Sequence, residues 1–332
     1  MKTIGLDLGT KHIVMCFRDK KGELKFRWEV NGFVDIKKQD KFTKNLLVSS
    51  QVPFIEREDD LIALGSKAED IAYSFNKDLR RPMAEGVIQS DEEEDVIQLM
   101  ATIVRSIIGS LDDDAVLYYS VPGKPLNSEI NVGFHSKVVK MIVDSYDGEG
   151  NIESYPINEA RAIVLTEEDK TAIGISFGAG MVNVCYSLFG VPIFEFSLVG
   201  SGDWIDRETA SKFSKETVTS VCKRKHNIDL SEMPSNNIDR AIYINYQILI
   251  EEVARGIVQG FKENEDKARV DRPMPIIFAG GTSMPKGFAD LFREEFQKQN
   301  IPFEIGEVKH AEQPLYTVAK GCFVAAEMHQ SD

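Results

Sequence analysis

The sequence predicts an α/β fold, because apolar strands alternate with helical patterns along the whole chain. Two strand–turn–strand segments have glycine at the turn, residues 4–17 (IGLDLGTKHIVMCF) and residues 172–186 (AIGISFGAGMVNVCY). A third apolar strand runs into two glycines in residues 276–283 (IIFAGGTS), and residues 286–298 continue as a helical pattern. Two similar hairpins half a chain apart, followed by this strand–glycine–helix unit, predict duplicated halves.

The first hairpin turn has the chemistry of a phosphate site. Gly9 has no Cβ, so backbone N–H groups and the Thr10 hydroxyl can approach a phosphate closely. Asp7 ends the first strand, where its carboxylate can reach a phosphate-bound Mg²⁺ through water. Alone, this pattern is equally typical of an ordinary hairpin with a glycine turn. Its recurrence around Gly178 and Gly180 favours two phosphate-binding turns that close on one nucleotide.

Composition and charge exclude several classes of function. The length of 332 residues fits one large or two medium domains, and 42% hydrophobic residues suffice for packed cores. The net charge of -14 argues against a nucleic-acid-binding protein and against electrostatic attachment to anionic lipid. The chain begins MKTIG and enters the first strand at once, so we expect neither a signal peptide nor a membrane anchor.

Cysteine and histidine usage predicts a protein of a reducing cytoplasm without a zinc site. The four cysteines (Cys16, Cys185, Cys222 and Cys322) are scattered without a CxxC motif, and three of them lie in apolar runs. The five histidines lie far from the cysteines in sequence, and no zinc-ligand spacing is present.

Several further elements are predicted along the chain. The predicted strands are residues 24–30, 45–52, 61–64, 115–122, 152–157, 191–199 and 302–308. The predicted helices are residues 65–74, 127–144, 158–166, 204–226, 239–261 and 317–327, and an acidic run at 91–95 begins another that continues to 108. The basic residues 223–226 (KRKH) suit the C-terminus of the helix 204–226, which favours a structural role for them.

Six short segments, in this order, resemble the actin and heat-shock-chaperone ATPase superfamily, and most of all bacterial actins of the MreB and MamK type. They are IGLDLGT (4–10), RPMAEGVI (81–88), SVPGKP (120–125), ISFGAG (175–180), FAGGTSMPKGF (278–288) and PLYTVAKG (314–321). The resemblance implies an actin-like (ribonuclease H-like) fold of two lobes, each a mixed β-sheet flanked by helices. ATP or ADP with Mg²⁺ is expected in the cleft between the lobes. Lobe one would comprise residues 1–165 and 308–332, and lobe two residues 166–307.

The resemblance also implies roles for individual residues. Asp7 is expected to face the metal. Gly9, Thr10 and Lys11 are expected to contact the terminal phosphates, and Gly178, Ala179 and Gly180 to contact them from the opposite side. Gly202 and Asp203 are expected to approach the nucleotide from lobe two, with Asp206 nearby. Gly280, Gly281 and Thr282 are expected to pack against the adenosine.

For ATP hydrolysis, the resemblance points to Glu159 together with Asp7. Glu159 lies at a predicted helix start, where a carboxylate can orient water in line with the γ-phosphate. From sequence alone, Glu159 could equally serve to stabilise the first turn of its helix. Two positions depart from the family pattern, since Ser176 and Asn183 stand where aspartates are usual near the magnesium. We therefore expect weak metal binding or slow conversion of ATP to ADP and phosphate.

The segment between the two long predicted helices, residues 227–237, is short compared with the small subdomain of bacterial actins. That subdomain supplies ribose contacts in the family, and no motif assigns these contacts here, so Lys215 and Glu216 are named without one.

The leading hypothesis is an ATP-binding cytoskeletal protein that polymerises head to tail with itself and can bind protein adaptors. The alternative is a non-polymerising, nucleotide-gated scaffold. A small-molecule kinase of the same fold is disfavoured because no carboxylate base beside a sugar pocket is evident, and ATP-versus-GTP preference stays open.

Overall fold

A computed structural model describes residues 2–37, 41–57, 60–75, 77, 79–88, 96–111, 114–146, 150–266 and 272–331. The acidic run 91–95 lies outside these residues. In chain order, the strands are β1 (Lys2–Leu8), β2 (His12–Arg18), β3 (Leu24–Val30), β4 (Phe33–Lys37), β5 (Phe54–Glu56), β6 (Asp60–Leu64), β7 (Met83–Ala84), β8 (Val87–Ile88), β9 (Ala115–Val121), β10 (Ile152–Asn158), β11 (Ala172–Phe177), β12 (Met181–Leu188), β13 (Val191–Val199), β14 (Met274–Ala279) and β15 (Ile305–His310).

The helices alternate with these strands. They are α1 (Lys41–Ser49), α2 (Gly65–Ser74), α3 (Val96–Ile108), α4 (Val132–Asp144), α5 (Glu159–Leu165), α6 (Gly202–Ser211), α7 (Val218–His226), α8 (Asn237–Glu263), α9 (Phe288–Gln297) and α10 (Thr317–Ser331). None of the described helices combines the length and the apolar character needed to cross a lipid bilayer.

Two five-stranded sheets share one plan. The first has the order β10-β9-β1-β2-β3 and the second β15-β14-β11-β12-β13. In each sheet the glycine-turn hairpin is antiparallel, and its first strand pairs in parallel with a later strand on the other side. Helices pack on both sheets, so each is a mixed sheet flanked by helices. The predicted two-lobed α/β fold with duplicated halves is therefore confirmed.

Helices α5 and α10 lie between the two sheets and approach them very closely. A Cβ atom on Gly5 of β1 would lie 2.2 Å from the Ala319 carbonyl oxygen of α10, and one on Gly174 of β11 would lie 2.4 Å from the Ala160 carbonyl oxygen of α5. The two glycines hold equivalent places in the two hairpins. Where the helices meet each other, a Cβ on Gly321 would lie 1.8 Å from the Ala162 carbonyl oxygen. Only glycine permits such backbone contacts.

A smaller unit extends from the first sheet. Its three-stranded sheet has the order β4-β6-β5, and α1 and α2 pack against it around Val34, Leu47, Ala63 and Ala68. The prediction of a strand at residues 45–52 is wrong, because most of this stretch lies in α1. Its short apolar run, NLLV, has no periodicity that separates a strand from a helix, and burial of Leu47 on one helix face decides the outcome.

The prediction of one long helix over residues 204–226 is also wrong. Helix α6 ends at Ser211, and α7 begins at Val218 after a capping box in which Thr217 and Ser220 satisfy each other's backbone N–H groups. The chain therefore turns back, so that α7 packs beside α6. The predicted helix 127–144 begins only at Val132, where the Asn131 side chain caps α4.

Candidate functional site

A cavity of about 420 Å³ lies between the two sheets, where both glycine turns face each other. This cavity is lined by all the residues to which the sequence analysis gave a catalytic, nucleotide-binding or metal-binding role. They are Asp7, Gly9, Thr10, Lys11, Glu159, Gly178, Ala179, Gly180, Gly202, Asp203, Gly280, Gly281 and Thr282. Segments separated by more than 270 residues in the chain thus meet around one space.

Asp7 is the penultimate residue of β1 and lies on the wall of this cavity. The Ser120 hydroxyl, at the end of the neighbouring strand β9, donates a hydrogen bond of 2.8 Å to Asp7 Oδ1 and accepts one of 2.9 Å from the Leu8 N–H. Burial raises the pKa of Asp7 to about 6, although the Ser120 hydrogen bond lowers it. Ser120 therefore fixes the direction of a carboxylate that has little solvent around it.

Glu159 is the first residue of α5, and its carboxylate faces the same cavity. Asn158 caps this helix, with its Oδ1 accepting from the Ala160 N–H at 2.8 Å, so capping does not require the Glu159 side chain. Burial and, to a smaller extent, the negative charge of Asp7 raise the pKa of Glu159 to about 8, although a hydrogen bond from Ser176 lowers it. At neutral pH Glu159 is thus mostly protonated in this cavity.

Ser176 and Asn183, the two departures from the family pattern, are cross-strand partners on β11 and β12. The Ser176 hydroxyl donates to Glu159 Oε2 at 2.9 Å. Asn183 Oδ1 instead accepts from the Gly123 N–H at 2.8 Å, which joins the second sheet to the loop after β9. Both substituted side chains therefore have structural partners beside Asp7 and Glu159.

The second glycine turn is tied to the two other segments of lobe two that line the cavity. The Gly178 carbonyl oxygen accepts hydrogen bonds from the Thr282 hydroxyl at 2.7 Å and the Ser201 hydroxyl at 2.8 Å. The Asp203 N–H donates to the Ala179 carbonyl oxygen at 2.8 Å. Gly280 has φ +95, and a Cβ there would lie 2.3 Å from the Phe177 carbonyl oxygen, so this turn requires glycine.

The segment of residues 81–88 reaches across from lobe one to close one side of the cavity. Arg81 forms an ion pair of 2.9 Å with Asp203, which is partly buried on α6. In the turn between β7 and β8, Gly86 lies so close to the second glycine turn that a Cβ on Gly180 would be 2.2 Å from the Gly86 nitrogen. Backbone therefore meets backbone between the two lobes at this point.

Sequence reasoning missed the contribution of α7 to the cavity. Lys225, which was interpreted as part of a basic helix end, forms a buried ion pair of 2.8 Å with Asp206, with side-chain exposures of 6% and 2%. Its Nζ also donates to the Gly202 carbonyl oxygen at 2.5 Å. Cys222 and His226 lie on the same wall. The capping pair Thr217 and Ser220 was the available sequence signal, because it separates α6 from α7 and makes these contacts possible.

One oxygen of this buried pair is itself buried and unpaired. Asp206 Oδ1 has no hydrogen-bond partner among the residues that the structure describes. A buried carboxylate oxygen is costly to leave unpaired, and together with burial of the whole group this raises the pKa of Asp206, although Lys225 lowers it. Lys215 and Glu216, named above for ribose contacts, do not line the cavity. Glu216 instead accepts a hydrogen bond of 2.6 Å from the Ser220 hydroxyl.

A comparison with protein-family models matches the family described as Volactin over residues 1–326. The chain belongs to the Volactin family. A comparison with curated proteins gave no match.

Solved structures that resemble this Volactin family member share its fold at low sequence identity. A MamK double helical filament superposes with a TM-score of 0.70 and 17% identity, covering 98% of each chain. MreB 5 of Spiroplasma citri bound to AMPPNP gives 0.67 and 14%, covering 99% of this chain and 97% of that one. The ethanolamine utilization protein EutJ from Carboxydothermus hydrogenoformans gives 0.53 and 15%, covering 98% and 89%. The chain thus has the actin-like fold.

Proposed function

We propose that this protein is an actin-like cytoskeletal protein that binds ATP in the cavity between its lobes and polymerises head to tail, with slow hydrolysis. The observation that carries this proposal is the convergence of both glycine turns, the Gly280–Gly281 turn and α6 on one cavity. A volume of about 420 Å³ is within the range of small-molecule sites. The MreB 5 structure bound to AMPPNP and the MamK filament support nucleotide binding and self-assembly.

In this proposal, the two glycine turns hold the phosphates from opposite sides. Gly9, Thr10 and Lys11 approach from lobe one, and Gly178, Ala179 and Gly180 from lobe two. Turns of this kind place N–H groups around an anion, and the Lys11 ammonium adds a positive charge. Because both lobes would contact the same phosphates, binding would favour the closed cleft.

The donor set suits a Mg²⁺ that is held mainly by phosphates and water. Among the described residues, no group of three histidine, cysteine, aspartate or glutamate side chains could hold a metal alone. Mg²⁺ is commonly bound through one or two carboxylates together with substrate phosphates, and Asp7 can supply that carboxylate. The ion would supply charge neutralisation of the phosphates when bound. The raised pKa of Asp7 in the protein alone is consistent with a carboxylate that needs a neighbouring cation.

Glu159 is our proposed group for orienting the attacking water, because its buried carboxylate faces the cavity near Asp7. An ionised Glu159 can accept a hydrogen bond from water, whereas a protonated one accepts poorly. The pKa of about 8 and the Ser176 hydrogen bond therefore favour slow turnover. Positioning of this kind provides much of the catalysis in phosphoryl transfer.

We propose the lobe limits as residues 1–165 with 308–332, and residues 166–307, with one adjustment. Strand β15 pairs with β14 in the second sheet, so the return to lobe one falls after His310. A cytoplasmic location and binding of protein adaptors complete the proposal.

A non-polymerising scaffold is the second candidate, and one group of contacts favours it. The loop after β9 joins the edge strand β13: the Ser197 N–H donates to the Lys124 carbonyl oxygen at 2.9 Å, and the Leu126 N–H to the Ser197 carbonyl oxygen at 3.0 Å. Asn127 exchanges two further hydrogen bonds with Val199. These contacts hold the lobes in one arrangement, which suits a protein that binds ATP without cycling.

Sedimentation of the purified protein with ATP, ADP or no nucleotide, with phosphate release followed in the same samples, separates the two candidates. We expect sedimentation that requires ATP, with phosphate release slower than assembly. Nucleotide binding without sedimentation at any protein concentration would refute polymerisation and support the scaffold. Absence of nucleotide binding would refute both.

A further inference from the structure

We propose that His12 and His226 are further binding residues of the nucleotide site, and that they contact the polyphosphate as imidazolium cations. This inference rests on the proposed nucleotide binding and adds to it protons that are taken up together with the ligand. It concerns two cavity-lining side chains that have no other role in the proposed site.

The two histidines line the cavity from different parts of the fold. His12 is the first residue of β2 and directly follows the first glycine turn, whereas His226 is the last residue of α7. Strand β2 belongs to the first sheet, and α7 packs through Val221 into the core around the second sheet. Both side chains form part of the wall of one cavity, together with Lys11. A ligand that fills this cavity therefore lies between the two elements.

Positive charge is concentrated at this wall, and only part of it is neutralised within the protein. Lys225 pairs with Asp206 at 2.8 Å, and Arg81 pairs with Asp203 at 2.9 Å. Lys11 and the two histidines form no ion pair with a carboxylate in the part of the chain that the structure describes. A polyphosphate matches this arrangement, because its oxygens accept short hydrogen bonds from cationic donors.

His12 is neutral at physiological pH in the protein alone. Burial and, to a smaller extent, the positive charges of Lys11, Arg81 and His226 lower the pKa of His12 to about 4. On its other side the ring meets Trp28, which carries no charge. A phosphate group beside the imidazole reverses this balance, since a nearby negative charge favours the protonated ring.

His226 is biased in the same direction, but less completely. Burial and the charges of Lys11 and Lys225 lower its pKa, whereas the Cys222 backbone and the Asp206 carboxylate raise it. The Cys222 thiol lies one turn earlier on α7, with its Sγ 3.9 Å from His226 Nδ1. Because α7 ends at His226, its unpaired carbonyl groups also favour a cation at this position. An anionic ligand supplies the remaining attraction.

Binding of a polyphosphate is thereby linked to proton uptake. Each imidazole takes up a proton where it contacts the phosphates, so the affinity increases as the pH falls. The increase is up to about tenfold for each pH unit and each proton taken up. For each histidine, the effect spans the interval between its pKa in the protein alone and its higher pKa in the complex.

Titration calorimetry with ADP and Mg²⁺ tests the proton uptake directly. The binding heat is measured at pH 6.5 in two buffers that differ in ionisation enthalpy, and the difference gives the number of protons taken up. His12→Gln and His226→Gln should each take up fewer protons than wild type, by as much as about one, and should bind ADP more weakly. The loss of affinity should shrink toward pH 8.5. Proton uptake equal to that of wild type in both variants would overturn the proposal.

Two controls make this comparison specific. Asp7 and Glu159 line the same cavity and titrate in wild type and variants alike, so the difference between the proteins isolates the histidines. His329→Gln is the matched control, because His329 lies on α10 and does not line the cavity. It should leave proton uptake unchanged, and thermal unfolding in the same buffers verifies that each variant is folded.

A charge-retaining variant separates a binding role from a structural one. His226→Lys keeps a cation at the C-terminus of α7 at every pH of the titration. It should bind ADP about as tightly as wild type at pH 6.5 and more tightly at pH 8.5, with fewer protons taken up. Equal weakening by His226→Lys and His226→Gln would overturn the assigned role of the charge.

Trp28 provides a spectroscopic signal for the proton on His12. The two rings meet edge to face, with centroids 5.6 Å apart and an interplanar angle of 85°. An imidazolium quenches a neighbouring indole more strongly than a neutral imidazole does. Trp204 is the second tryptophan of the chain, so the signal is recorded in a Trp204→Phe background. ADP should quench Trp28 at pH 6.5 in this background, and no longer after His12→Gln. Quenching that persists without His12, or none with it, would overturn its role.

These outcomes distinguish the inference from the proposed function. Wild-type protein that does not bind ADP would refute the nucleotide site and the inference with it. Binding of ADP with proton uptake that is unchanged in both glutamine variants would overturn the inference alone and leave the nucleotide site in place.

Discussion

The Ser176 hydroxyl donates a hydrogen bond of 2.9 Å to the Glu159 carboxylate, and so joins β11 to the first turn of α5. Serine stands where related proteins are expected to carry an aspartate, which would bury a further carboxyl group against Glu159. The substitution therefore replaces an ionisable group with a neutral hydrogen-bond donor. Several consequences for stability and turnover can be measured.

Glu159→Gln should remove a pH dependence of stability from the nucleotide-free protein. The pKa of Glu159 rises from 4.5 to about 8 on folding, so the folded state binds more protons than the unfolded state between these values. Stability of the wild type should then fall as pH increases from about 4.5 to about 8, at up to about 1.4 kcal/mol for each pH unit. The variant should be more stable than the wild type at pH 9 and similar to it at pH 5 in thermal unfolding. Equal pH profiles would contradict the raised pKa.

Ser176→Asp should make both stability and turnover depend more strongly on Mg²⁺. Without the metal, the new carboxylate is buried at a position where Ser176 is 3% exposed, and the cost of burying this group should lower the melting temperature. With Mg²⁺ and ATP, an additional hard anionic ligand should increase phosphate release. Ser176→Ala is the control, since it removes the hydrogen bond without adding charge. A release rate that is insensitive to Ser176→Asp would argue that Glu159 does not limit hydrolysis.

Lys225→Met should destabilise the protein strongly, because it leaves the Asp206 carboxylate buried without its partner. Breaking a buried ion pair in this way typically costs about 3–5 kcal/mol. The double variant Lys225→Met with Asp206→Asn should recover part of this loss, since the uncompensated charge is gone. Chemical denaturation of all three proteins gives the comparison. A double variant no more stable than Lys225→Met would show that packing, rather than charge, explains the loss.

Gly321→Ala should separate α10 from α5, because the added Cβ would lie 1.8 Å from the Ala162 carbonyl oxygen. Backbone cannot move away as a side chain can, so we expect destabilisation of about 1–3 kcal/mol or more. Gly281→Ala provides the control for stability, since the nearest atom to its Cβ position is a Leu315 side-chain carbon at 3.7 Å. Similar unfolding midpoints for the two variants would contradict the close helix contact.

The glycine turns and the alternating pattern were sufficient to predict an α/β fold with duplicated halves, and the two-lobed arrangement came from the resemblance to bacterial actins. Asp7 could be placed from the first glycine turn and Glu159 from the resemblance, and both line the cavity. Lys225 could not, because its role depends on the reversal between α6 and α7, which brings it to Asp206. The capping residues at this reversal are a weak local signal compared with an uninterrupted helical pattern.

The segment of residues 45–52 illustrates a second limit. Its apolar residues suit either a strand or a helix, and only packing against β4 and β6 of the small sheet selects α1. The hydrogen bond between Ser176 and Glu159 marks a third limit. The sequence indicates the loss of an aspartate at position 176, but not that the replacement would donate to Glu159.

The contact of Gly5 with Ala319 and Phe323 also determines the order in which the two lobes can be completed during synthesis. The second sheet is formed by strands between residues 172 and 310, so all its strands are available before α10 is translated. Strand β1 leaves the ribosome before the second sheet, yet the helix that covers its central glycine is translated after that sheet. All strands of the second sheet can therefore pair while the apolar face around β1 still lacks its covering helix. Both lobes are completed only when α10 has been translated, because this helix also packs on Ile277 and Ala279 of the second sheet.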